Sequence, residues 1–163
     1  MPRKEKKMPL HIVLVNPEIP PNTGNIARTC AATDTCLHLV KPLGFSIDDK
    51  ALKRAGLDYW PYVKLTVHES LDDFMKGYAG ARMFLATTKG ARLYTEPEYR
   101  DGDMFLFGRE TAGLPRDFIE QHKDFAVRIP MSESTRLRSF NLANSANIIL
   151  FEALRQLRFP GLK

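Results

Sequence analysis

R-I-P-M-S-E-S-T-R-L-R-S-F-N-L-A-N, residues 128–144, is the junction on which the reading of this chain turns. Upstream, Phe125 to Ile129 has the composition of a strand, and Pro130 ends it because proline cannot donate to a sheet ladder. Downstream, Leu142, Ala146, Ile149, Leu150, Ala153, Leu154 and Leu157 recur at helical spacing. That spacing predicts an amphipathic helix beginning near Ser139 or Asn141 and stopped by Pro160 and Gly161. Ala143, Asn144, Ser145 and Asn147 flank its first two turns and are small enough to let another backbone or a ligand come close. Between strand and helix lies a polar, basic loop.

The same order of strand, loop and helix recurs toward the N-terminus. Leu10 to Val15 reads as a buried strand. It is followed by N-P-E-I-P-P-N-T-G-N-I-A-R-T-C, residues 16–30, whose prolines predict irregular structure until Asn22 or Thr23, either of which could cap the next helix. On that helix Ile26, Ala27, Cys30 and Ala31 form the apolar stripe, and Asn25 and Arg28 share the accessible side. A single arginine on a helix is ordinarily a solvated charge. Arg28 follows a strand-to-helix loop, however, and ligands of open α/β sheets gather at the carboxyl ends of strands.

Further strands are expected at 37–40, 63–67, 82–87 and 103–107, and helices over 48–56, 70–77 and from Pro115 onward. Some six strands alternating with helices predict an α/β fold, a mostly parallel sheet with helices on both faces. Tyr59, Trp60 and Tyr62 surround Pro61 and suit a core wedge or a platform for stacked bases. Two loops after strands carry exposed backbone: T-T-K-G at 87–90 and F-G-R-E-T-A-G-L-P at 107–115, where Gly108 and Gly113 permit close approach and Glu110 supplies a carboxylate. No G-x-G-x-x-G follows the first strand and no G-x-x-x-x-G-K-[ST] occurs, so a dinucleotide or P-loop site is not expected.

With 163 residues and 44% apolar content, the chain suits a single domain over residues 10–163 behind a short, flexible basic tail at 1–9. The net charge of +5 and pI near 9.3 suit a polyanionic partner. No apolar run suggests a secretory signal or a membrane span, which points to the cytoplasm. Cys30 and Cys36 lack zinc-site spacing and His11, His38, His68 and His122 are scattered, so neither a metal site nor a disulfide is expected.

Three segments in one order, N-P-E-I-P-P-N-T-G-N-I-A-R at 16–28, F-G-R-E-T-A-G-L-P at 107–115, and R-I-P-M followed by S-F-N-L-A-N up to 144, resemble the SPOUT RNA methyltransferases. Within them the chain is most similar to the short stand-alone tRNA (cytidine/uridine wobble) 2'-O-methyltransferases of the TrmL type. The resemblance runs from Leu10 to Gly161 and includes G-F-S-I-D-D-K at 44–50 and R-A-G-L-D-Y at 54–59. It implies a deep C-terminal trefoil knot, which general topology rules would not suggest. It also implies S-adenosylmethionine as cofactor, bent within the knot loops against Ala86, Thr87, Gly108, Ile129, Met131 and Ser139.

In the same resemblance Arg28 sits at the reactive ribose, and Asn25, Glu110 and Asn141 place substrate or complete the pocket. The implied reaction is methyl transfer to the ribose 2'-hydroxyl of the wobble nucleotide of leucine tRNAs, with the anticodon stem-loop as partner and a homodimer as the assembly. The small flank of the 141–158 helix and the apolar residues of the 22–33 helix are the faces expected to pack across that dimer, the alternative being a monomer that buries them internally. Another tRNA position, ribosomal RNA, or a non-catalytic RNA-binding role on the same fold are the alternatives. Three departures stand out: a longer spacing between Met131 and Ser139, Phe140 in place of a smaller aliphatic residue, and Arg109 where relatives often carry proline.

Overall fold

Strand β1 (His11–Val15) pairs in parallel with β2 (Cys36–Val40) on one side and with β6 (Met104–Phe107) on the other. Beyond β2 lies β3 (Lys64–His68). Beyond β6 come β4 (Met83–Ala86), β7 (Ala126–Arg128) and β5 (Arg92–Leu93), giving the order β3-β2-β1-β6-β4-β7-β5 with every pairing parallel. The computed structural model describes residues 7–48, 50, 52, 54 and 59–163. The expected tail at 1–9 and the expected helix over 48–56, with Lys4, Lys6 and Lys53, fall mostly or wholly outside the described residues.

Among the described residues the sheet has seven strands where about six were expected. The extra one, Arg92–Leu93, is too short to show periodicity, and only its pairing with Val127 and Arg128 defines it. Two strands late in the chain lie inside the sheet, β6 between β1 and β4 and β7 between β4 and β5. Because all strands run the same way, the loops at 16–19, 87–91, 108–115 and 129–141 lie at one edge, the carboxyl edge.

Alternate residues feed two cores. Ile12, Leu14, Leu37, Leu39, Phe105 and Phe107 pack beneath helices α1 (Pro20–Thr33) and α4 (Leu142–Gln156). Val13, Val15, Val40, Leu85, Met104 and Leu106 pack with Phe74 of α2 (Leu71–Gly77) and Phe118 of α3 (Arg116–Gln121). The helices therefore cover both faces, as the alternation predicts.

Helix α1 departs from expectation at its start. Pro20 and Pro21 occupy its first turn instead of delaying it, since N–H groups there have no partner in the helix to lose. Neither Asn22 nor Thr23 caps it; Ile19 is the N-cap residue and its side chain contributes nothing. Helix α4 behaves as read: Asn141 is the N-cap, its Oδ1 accepting from the N–H groups of Ala143 (2.9 Å) and Asn144 (3.3 Å). It ends ahead of Pro160, where Arg158 and Phe159 take left-handed backbone angles.

The faces expected to meet across a dimer are partly used inside the chain. Ile26, Ala27 and Cys30 of α1 are buried with Ala143, Ala146, Ile149 and Leu150 of α4, because the two helices lie side by side on one sheet face. Asn25, Arg28, Asn144 and Phe151 remain exposed on the outer flanks.

The aromatic cluster divides. Trp60 packs against the core as a wedge, Tyr62 is 74% exposed, and Tyr59 lies half-buried beside α1. The histidines are not all scattered. His11, His38 and His68 stand on one face of three adjacent strands, His11 Nδ1 lying 2.8 Å from His38 Nε2 and His38 Nδ1 2.9 Å from His68 Nε2. Phe74 and Tyr78 pack over them. Burial, reinforced by its two imidazole neighbours, pushes the His38 pKa down to about 3, and burial lowers those of His11 and His68. Cys30 and Cys36 are free thiols, and burial raises the pKa of each.

Candidate active site

Three loops are joined at the carboxyl edge by one carboxylate and two amides. Glu110, on the loop after β6, accepts from the backbone N–H of Glu18 (2.8 Å) and of Ile19 (3.1 Å), and from Asn22 Nδ2 (3.4 Å). Asn22 Oδ1 in turn accepts from Asn141 Nδ2 (3.1 Å), and Asn141 caps α4. The N-terminus of α1 thus receives its cap from a residue more than ninety positions away, where the helix dipole also favours a negative charge. A second link, Thr111 Oγ1 donating to Glu18 Oε1 at 2.7 Å, ties the same loops. Asn22 is 7% exposed, and an unpaired amide buried there would cost about 1–3 kcal/mol, so the chain of bonds has to form as a unit.

Two hollows meet at this network. The larger is a cleft of about 1400 Å³. Ala86 and Thr87 at the end of β4, Gly108 and Glu110 after β6, Ile129 and Met131 after β7, and Ser139 and Asn141 before α4 all line it. Every residue that the resemblance assigns to the cofactor is therefore in one cleft. The smaller is a polar recess of about 470 Å³ lined by Asn22, Asn25, Arg28, Thr29, Asn141, Ala143, Asn144 and Asn147. Asn25 and Arg28 lie in this recess and not in the cleft. Asn22 and Asn141 line both.

The cleft fits S-adenosylmethionine by the chemistry of its lining. Ile129, Leu142 and Ile149 offer an apolar floor for an adenine ring. The ends of parallel strands bring backbone donors and acceptors to its edge. Glycine is required at Gly108 by the loop itself: a Cβ there would lie 1.9 Å from the backbone carbon of Gly113. Gly113 has φ +71° and donates its N–H to Arg109 O at 2.8 Å, closing the turn. At Gly90 a Cβ would lie 2.6 Å from the backbone carbon of Val127, so the β4 loop is pressed onto β7. The glycines shape the cleft wall by packing backbone on backbone.

Reading the sequence alone missed Asn22, which was considered only as a helix cap, and missed the pairing of Glu18 with Thr111. The first left a usable signal: Asn22 and Asn25 are three residues apart in one helix, the spacing that sets side chains on one face, as are Asn25 and Arg28. Tyr59 was read as part of a core wedge or a base-stacking platform, without its contact to Arg28. Arg28 Cζ lies 4.5 Å from the centroid of the Tyr59 ring. Around the cleft Lys89, Arg109, Arg116, Lys123 and Arg138 are exposed; Arg109 is 4.0 Å from Glu18 and Lys123 3.5 Å from Glu120. Lys89, Arg116 and Arg138 have no ion-pair partner among the described residues.

Known proteins resemble this chain over most of its length. The model of the SpoU rRNA Methylase family matches residues 9–151. The tRNA (cytidine(34)-2'-O)-methyltransferase of Methylovorus glucosotrophus is 53% identical, over 92% of this chain and 97% of the relative. Among solved structures, one described for the 2-OH methylation of C/U34 on tRNA superposes with a TM-score of 0.87 at 45% identity, over 93% of this chain and 97% of that one. The AdoMet-bound rRNA methyltransferase of Sinorhizobium meliloti superposes with a TM-score of 0.82 at 26% identity, over 93% of this chain and 58% of that one. By the extent of these matches, this chain belongs to the SpoU methylase family.

Proposed function

We propose that the protein is an S-adenosylmethionine-dependent tRNA 2'-O-methyltransferase acting on the wobble cytidine or uridine, with leucine tRNAs as substrates. The observation that carries the reading is the single cleft shared by Gly108, Ile129 and Ser139, opening beside a polar recess that presents Arg28. The names of similar relatives favour the wobble nucleotide of tRNA as the target. The family description and the Sinorhizobium neighbour keep ribosomal RNA as a second reading.

Bound in the cleft, S-adenosylmethionine supplies a methyl group on a sulfonium, open to attack by an oxygen nucleophile. The protein's part is to bring the ribose hydroxyl into line and to ease the loss of its proton. Ala86, Thr87, Gly108, Ile129, Met131 and Ser139 hold the donor. Arg28 meets the ribose. As a cation with N–H donors and no acceptor, its guanidinium orients the 2'-hydroxyl and stabilises the negative charge that develops there, while the proton leaves to water or an RNA phosphate. Asn25 sits one helical turn before Arg28 and orients the same nucleotide. Glu110 and Asn141 act through the loops they hold, with Asn22 between them. Lys89, Arg116 and Arg138 are the proposed phosphate contacts, so RNA affinity falls as salt rises.

The assembly we propose is a cytoplasmic homodimer closed over the exposed flanks of α1 and α4, on subunits whose late strands β6 and β7 complete a trefoil-knotted path. Mapping 2'-O-methyl groups in total tRNA from cells lacking the protein tests the substrate. The wobble methyl of leucine tRNAs disappears if the reading is right. Intact wobble methylation together with a missing ribosomal RNA methyl transfers the assignment to the second reading.

A further inference from the structure

Arg28 is the residue on which the chemistry is proposed to depend, yet it is exposed and makes no ion pair with any described carboxylate. A long side chain in that state samples many rotamers. Its guanidinium meets Tyr59, whose ring centroid lies 4.5 Å from the guanidinium carbon, well inside the range of a cation–π interaction. The backbone that carries the ring is held. Tyr59 O accepts from the N–H of Tyr62 at 2.9 Å, opening the short 3-10 turn Trp60–Tyr62, and Trp60 anchors that turn in the core beneath α1.

We propose that Tyr59 is a positioning residue for Arg28, its ring face holding the guanidinium over the recess shared with Asn22 and Asn141 before RNA arrives. The inference rests on Arg28 acting at the ribose. It assigns the effect to the aromatic face and not to the phenol hydroxyl, because the contact is made by the ring. An aromatic that merely filled space beside α1 would be replaced without loss by an aliphatic residue of similar bulk.

The full-length protein with labelled S-adenosylmethionine and a leucine tRNA anticodon stem-loop separates these cases. In Tyr59→Leu, kcat falls about tenfold while KM for S-adenosylmethionine and the thermal midpoint stay unchanged; Tyr59→Phe restores kcat to within about twofold. In an Arg28→Ala background, Tyr59→Leu has no further effect on kcat. Wild-type kcat in Tyr59→Leu, or an equal loss in both backgrounds, would overturn the proposal. A readout free of turnover stands beside these: the Arg28 Nε–H proton resonance is shifted upfield by the ring in the wild type and in Tyr59→Phe, and not in Tyr59→Leu. An unshifted resonance in the wild type defeats the positioning claim even if methyl transfer is normal. Absence of transfer by the wild type, with the shift present, counts against the role of Arg28 and leaves the Tyr59 contact standing.

Discussion

The two hollows differ in the way their shape is made. The large cleft is walled by backbone: strand ends of β4, β6 and β7, and glycines pressed so tightly that Gly108 has no room for a methyl group. The recess is walled by side chains on two helices, most of them asparagines, with Arg28 among them. A backbone wall suits a ligand that is the same in every turnover. A side-chain wall suits a substrate presented by a large and variable RNA. The difference teaches that substitutions should separate cofactor binding from methyl transfer, except at the two asparagines the hollows share.

Arg28→Ala should separate them most. Loss of the cation at the developing alkoxide lowers kcat by about 10²–10³-fold, the scale seen when one such stabilising donor is removed. Affinity for S-adenosylmethionine, measured by calorimetry, is unchanged, and a parallel loss of cofactor affinity would merge the two hollows into one. Gly108→Ala gives the opposite result. Its Cβ would meet backbone that cannot swing aside, so the 108–114 loop shifts, cofactor affinity falls by more than about tenfold, and stability drops by about 1–3 kcal/mol in a denaturant titration.

Asn22→Ala should break the separation. Asn141 Nδ2 loses its acceptor and Glu110 loses a donor, so cofactor affinity and kcat each fall, by about three- to tenfold. An effect confined to one of them would show that the network does not couple the hollows.

The histidine ladder of β1, β2 and β3 provides a region belonging to neither hollow. The folded state depresses these pKa values below the ordinary 6.5, so the unfolded chain binds more protons as pH falls through 6.5 toward about 3, and stability declines across that window. Cys36, Lys64, Asp73 and Tyr78 are the other titratable groups around the ladder. Between pH 6.5 and 5, above the range where most carboxylates titrate, the thermal midpoint of the wild type falls more steeply than that of His38→Gln. Cofactor affinity per folded molecule stays level over the same interval.

What could be read from the sequence depended on whether partners lie close along the chain. Helix α4 carries its own cap at Asn141, its own apolar stripe and its own stop, so its start and buried face were legible, and so were the strands that are four or five residues long. Helix α1 carries no cap of its own. The group that satisfies its N-terminus is Glu110, and only folding reveals that Pro20 and Pro21 open the helix. The ladder was hidden for the same reason: His11 is level with Cys36, which puts His38 two residues further along the same face. The residues assigned to the cofactor came from motif resemblance, and the cleft that gathers them is a product of strand order. Asn22 went unassigned because its partners, Glu110 and Asn141, lie far along the chain, and the contact of Tyr59 with Arg28 was hidden for the same reason.

The central claim is that the cleft and the recess together deliver a methyl group to a ribose oxygen. Its most direct test is to incubate the purified protein with labelled S-adenosylmethionine and a leucine tRNA anticodon stem-loop, in parallel with the same RNA carrying 2'-deoxyribose at the wobble nucleotide, and to digest both to nucleosides. The account predicts label in the 2'-O-methylated wobble nucleoside of the first RNA and none in the second. Label on a base, or equal labelling of both RNAs, would contradict it.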